Sequence, residues 1–170
     1  MRKGATHVGS SETLLDQIAM QNSVPGIFFT FAERKKELRI KTLARLSAVE
    51  NRDIRRGSAY LLHWYGVPKR TADPMELPPS WEKIKTVAEA ARRWLDLTYL
   101  IECGRETNIQ QVGEQIDQVS TIKSSDRMMV VIDDSQRLGP GDQPIRDRLA
   151  HVAEELQGIA VNHNIPVLAV

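Results

Sequence analysis

Cysteine occurs once in these 170 residues, at Cys103, so neither a disulfide framework nor a zinc site built from cysteines is available. A single thiol suits a reducing compartment. The four histidines, His7, His63, His151 and His163, share no metal-ligand spacing and read as surface or core residues. The basic N-terminus has no apolar stretch of the signal-peptide kind, and no segment is long enough to span a bilayer. The expected location is therefore the cytoplasm, without membrane attachment. Internal repeats and low-complexity tracts are also missing.

What is present is the composition of an ordinary globular protein, 26% charged and 41% hydrophobic. The length predicts one domain, residues 1–170, large enough to bury a real core. The net charge of +1 hides an asymmetry. Residues 1–100 carry 17 Lys/Arg against 11 Asp/Glu, and residues 101–170 carry 6 against 11. Between Arg34 and Arg56 there are 9 basic and 3 acidic residues, either a solvated helix face or a surface that attracts phosphate backbones.

Apolar periodicity alternates between helix and strand. Ser10 or Ser11 caps a first helix with Leu14, Leu15, Ile18 and Ala19 on one face, ended by Val24-Pro25-Gly26. Residues 26–31 (GIFFTF) read as a strand. A helix from Arg34 turns Leu38, Ile40, Leu43, Leu46 and Val49 inward, and a short one follows over 50–56. Residues 58–79 contain Pro68, Pro74, Pro78 and Pro79 and read as a loop or insertion. Trp64, Tyr65, Lys69 and Arg70 in that stretch fit either a hydrophobic anchor or a nucleic-acid contact. Ser80 caps a helix to Leu95, residues 99–102 form a strand, and Thr107 or Asn108 opens the next helix. Residues 128–132 (MMVVI) are an uninterrupted apolar run, as expected of a strand buried on both faces in a parallel sheet. A helix over 144–162 and a strand over 165–170 complete the pattern. Four strands alternating with helices predict an α/β fold with a mostly parallel sheet.

The chemistry is expected at Asp133 and Asp134, which follow the apolar run directly. Open α/β sheets bind ligands outside the carboxyl ends of their strands, and a carboxylate there can hold hydrated magnesium beside a nucleotide phosphate. The other reading is a pair of turn-capping aspartates. A phosphate cradle would decide between them. Gly4-Ala5-Thr6-His7-Val8-Gly9-Ser10-Ser11 has the GxxxxG spacing of a phosphate-binding loop, but Ser10 stands where the lysine belongs.

Taken in order, these pieces resemble the RecA-like ATPase domain of DnaB-type replicative DNA helicases. Residues 10–19 (SSETLLDQIA) resemble the family's GKTTLLLNIA, and residues 28–38 (FFTFAERKKEL) resemble FFSLEMSKEEL. Asp53-Ile54-Arg55-Arg56-Gly57 is similar to the RRG segment that follows. Residues 131–138 (VIDDSQRL) resemble VIDYLQLL, the Walker B strand and its downstream glutamine. Residues 160–169 (AVNHNIPVLA) are similar to AKELNIPVIAL, which leads into the sensor strand.

The resemblance implies a RecA-like P-loop fold lacking its first strand and its C-terminal part, with ATP and Mg²⁺ as cofactors. It implies single-stranded DNA and a homo-oligomer or other helicase subunits as partners. Residue by residue, Gly4, Gly9, Ser10 and Ser11 fall on a degenerate Walker A loop and Asp133 on the magnesium ligand. Gln136 falls on the downstream glutamine that couples or senses nucleotide. The family's catalytic glutamate matches Ala32, with Glu33 one place away, and a one-residue shift at a strand end re-aims a side chain. Arg34, Lys35, Lys36, Arg55 and Arg56 are the candidate nucleic-acid contacts. The Walker A lysine is missing in both the gapless and the glycine-based register, and Glu12 adds negative charge near the phosphates. The expectation is thus a helicase-type domain with little or no hydrolysis of its own, with two alternatives. One is a non-catalytic interaction or DNA-binding module; the other is a remnant of such a domain.

Overall fold

The computed structural model describes residues 11–55, 79–125, 127–139 and 144–170. The expected insertion at 58–79 lies outside them, apart from Pro79. The chain divides into two compact units, one of residues 1–35 and 94–170 and the other of residues 36–93.

The first unit holds the sheet. Strands β1 (Gly26–Thr30), β2 (Thr98–Glu102), β3 (Met129–Asp133) and β4 (Val167–Ala169) lie in the order β2-β1-β3-β4, all parallel. The expected α/β parallel architecture is therefore what forms. β1 and the centre of β3 are buried on both faces, as their unbroken apolar runs require. Alternation sends Ile27, Phe29, Val130 and Ile132 to one face. There they pack with Val112, Ile116 and Val119 of α4 (Ile109–Lys123) and Val152 and Leu156 of α5 (Ile145–His163). The opposite face, with Gly26, Phe28 and Val131, receives α1 (Ser11–Asn22) through the buried Leu15 and Ala19. Gly26 is what permits the close seat, because a Cβ there would stand 2.8 Å from Leu15 Cγ.

Local chemistry sets the helix ends. Asn108, not Thr107, opens α4: its side chain accepts from Gln111 N–H at 2.9 Å while Gln111 Oε1 accepts from Asn108 N–H at 3.1 Å. Thr107 Oγ1 instead accepts from Gly104 N–H in the preceding loop. Ser124 and Asn164 close α4 and α5 in the left-handed conformation.

The second unit contains α2 (Lys35–Ser47), which starts at its boundary, helical residues 51–55, and most of α3 (Pro79–Leu95). Its core is Ile40, Ile54 and Ile84, with Leu43, Ala44 and Val49 packed against them. Among the described residues, no helix is long and apolar enough to cross a membrane.

Candidate site at the carboxyl edge of the sheet

The strand register aligns three polar residues on one edge. Thr30, the last residue of β1, pairs with Glu102 at the end of β2 and with Asp133 at the end of β3. The chain leaving β1 next joins the sheet at β2 on one flank, while the chain leaving β3 joins it at β4 on the other. The carboxyl ends of β1 and β3 therefore flank a topological switch point, the usual place for a ligand in an open α/β sheet. Asp133 sits there, half-buried, as the apolar run before it predicts.

Asp134 turns the chain. It adopts a left-handed conformation (φ 67°, ψ 45°), which aspartate tolerates better than most residues. Its carboxylate accepts from Gln136 Nε2 at 2.6 Å and pairs with Arg137 Nε at 2.5 Å. Backbone bonds from Arg137 N–H to Asp134 C=O and from Leu138 N–H to Ser135 C=O tighten the short 3₁₀ turn Ser135–Arg137. Ser135 N–H donates to Val170 C=O at 2.9 Å, anchoring the turn beside β4. Across the switch point, Arg137 Nη1 donates to Phe31 C=O at 3.3 Å and so ties the loops after β1 and β3 together. Asp134 is thus the structural turn residue, and Asp133 is the carboxylate at the strand end.

On the other flank, Cys103 N–H donates to Thr30 C=O at 2.8 Å, and Glu102 Oε1 accepts from Lys35 N–H at 2.7 Å at the start of α2. Burial pushes the Cys103 thiol above its ordinary value, against smaller opposing effects of Thr107, the Thr30 backbone and Lys35. Glu33 lies after the strand, its N–H donating to Thr30 Oγ1 at 3.0 Å. A hollow of about 780 Å³ lies at this edge, its walls including Phe31, Cys103, Asp134, Gln136 and three arginines, Arg105, Arg137 and Arg148.

The expected site residues are distributed as follows. Asp133 ends β3, Gln136 lies in the 3₁₀ turn that follows, Glu33 lies just after β1, and Ser11 begins α1. Gly4, Gly9 and Ser10 lie outside the described residues. Arg34 and Lys35 are exposed at the end of the first unit's β1 loop. Lys36 and Arg55 belong to the second unit, where Arg55 is ion-paired with Glu37, and Arg56 is outside the described residues. Thr30, Glu102 and Arg137 were not legible as site residues, because register and contacts 67 and 106 positions apart create their roles.

Magnesium suits this edge. It keeps most of its waters and binds through one or two carboxylates plus phosphate oxygens, a demand that Asp133 alone can meet on the protein side. Among the described residues no group of three or more His, Cys, Asp or Glu converges to cage a metal.

Neither a family model nor a curated protein sequence matches the chain. Solved structures do. One is an ATPase domain, 12% identical, with a TM-score of 0.71 over 93% of this chain and 50% of that one. Another is a DnaB-like replicative helicase described with its interactions with primase, 13% identical, with a TM-score of 0.65 over 94% of this chain and 36% of that one. The chain spans half the length of the first and about a third of the second. It has the RecA-like fold of the DnaB-like helicase ATPase domains.

Proposed function

We propose that this chain is a nucleotide-binding domain of the DnaB-helicase type that binds Mg²⁺-ATP at the carboxyl edge of β1 and β3 and hydrolyses it little or not at all by itself. The observation that carries this reading is the placement of Asp133 at the end of a buried central strand, in register with Thr30, at the switch point of a RecA-like sheet. When bound, the metal would supply charge neutralisation for the phosphates. Asp133 would hold its hydration shell, and Gln136, fixed by Asp134, would sense the occupied site.

Turnover needs more than this. The lysine that offsets β/γ-phosphate charge is replaced by Ser10, and the position of the water-activating carboxylate is taken by the exposed Ala32. Glu33 is displaced beyond the strand end, and its backbone is bonded to Thr30. Single-stranded DNA and other helicase-type subunits are the partners this reading implies, with Arg34, Lys35, Lys36, Arg55 and Arg56 as the candidate DNA contacts. The test is ATP binding by calorimetry with and without Mg²⁺, combined with a phosphate-release assay. The expected result is magnesium-dependent binding with negligible release. Turnover of about 1–100 s⁻¹, the range of competent phosphoryl-transfer enzymes such as kinases, contradicts it, and so does an absence of binding.

A further inference from the structure

The hollow beside the switch point carries more positive charge than the proposed nucleotide position accounts for. Among the described residues its walls include three arginines, Arg105, Arg137 and Arg148, and one carboxylate, Asp134, which is already paired with Arg137. Asp133 is not among the lining residues. The volume, about 780 Å³, lies within the range of small-molecule sites.

Two of the arginines are set in place before any ligand arrives. Arg137 commits Nε to Asp134 and Nη1 to Phe31 C=O, which fixes the plane of its fork and leaves further N–H groups for a ligand. Arg148, in the first turn of α5, lays its stem on Gly139, where a Cβ would stand 2.9 Å from Arg148 Cδ. Its Nε is buried and has no hydrogen-bond partner among the described residues. A buried donor left unmade is costly, and more so on a cation. Planar guanidinium forks match pairs of phosphate oxygens through charge-assisted hydrogen bonds.

We propose that this hollow is a second anion site, which takes the phosphate groups of a free, nucleotide-sized phosphorylated ligand on Arg105, Arg137 and Arg148, apart from the magnesium–nucleotide position at Asp133. A bound phosphate offsets the positive charge of the three arginines.

Cys103 lines the same hollow and is the chain's only thiol, so its alkylation reports occupancy directly. The probe is inorganic pyrophosphate, in EDTA to remove magnesium, with sodium chloride matched for ionic strength. AMP and a single-stranded oligothymidylate are run as parallel arms. The full chain is expected to show pyrophosphate-dependent slowing of Cys103 alkylation, with AMP acting in the same way. In Arg148→Gln the half-protecting concentration should rise at least about tenfold, the loss of one charge-assisted hydrogen bond. Arg105 is exposed, so Arg105→Gln keeps the fold and carries the test should Arg148→Gln not fold. Asp133→Ala should protect like the parent chain, which separates this site from the proposed nucleotide position. The proposal is overturned by an absence of protection, by protection unchanged in the folded arginine variants, or by its loss in Asp133→Ala. Protection by oligothymidylate alone also overturns it, in favour of a strand-binding groove.

Discussion

Replacing Gly26 by alanine should loosen the seat of α1 on the sheet, and the size of the effect can be worked from one contact. A Cβ at residue 26 would lie 2.8 Å from Leu15 Cγ and closer still to its Cδ1, and Leu15 is 1% exposed with little space to yield. Overpacking of this kind costs about 1–3 kcal/mol. Relief of the glycine's unfolded-state entropy returns roughly 0.5–1 kcal/mol. The net expectation for Gly26→Ala is a loss of about 0–2.5 kcal/mol. Leu15→Ala alone opens a cavity and should cost about 2–5 kcal/mol. In the double variant the added methyl occupies space that Leu15 vacates, so the two losses should not add. The coupling should be about 1–3 kcal/mol in favour of the double variant, well above the scatter of independent sites. Urea unfolding of all four proteins measures it. Additive losses in the double variant would refute the seating of α1 through this contact.

Three further outcomes follow from local chemistry. Asn108→Ala removes the acceptor of the α4 capping box and should lower stability by about 1 kcal/mol in the same urea assay. Ala48 holds φ at 54°, so Ala48→Gly relieves about 1–2 kcal/mol of left-handed strain against roughly 0.5–1 kcal/mol of glycine entropy and should stabilise the chain by up to about 1.5 kcal/mol in the urea assay. Cys103 has a raised folded pKa, so its folded thiol holds its proton more tightly than the unfolded one. That stability is fully present below the ordinary thiol value of 9.0 and is lost as pH rises through the folded value. Melting curves of the parent chain and Cys103→Ser should therefore converge on the alkaline side of pH 9, and a constant gap would count against the burial-driven shift.

Much of the architecture was legible because its signals are local. The unbroken run 128–132 announced a doubly buried strand, and Asn108 with Gln111 carries its capping box within four residues. The apolar run ending at Ile132 is enough to put Asp133 at the carboxyl end of a strand. What was not legible depends on long-range geometry. Nothing near Arg137 announces a bond to Phe31, and nothing near Glu102 announces that it receives the first N–H of α2. The resemblance to the Walker B strand singles out Asp133 over Asp134, but the left-handed turn that Asp134 makes shows only in the structure. In α2, Thr42 and Ser47 are buried where apolar periodicity alone marks only leucines and isoleucines, and Ser47 is satisfied by Leu43 C=O at 2.6 Å. The division at 36–93 has no linker composition to mark it.

The account stands or falls on whether Asp133 still holds a magnesium-bound nucleotide in a chain that has lost the Walker A lysine. Titration of a fluorescent ATP analogue into the full chain and into Asp133→Ala, each with and without Mg²⁺, tests this most directly. The account predicts binding that tightens with Mg²⁺ in the parent chain and loses that magnesium dependence in Asp133→Ala. Binding indifferent to both the metal and Asp133 would contradict it.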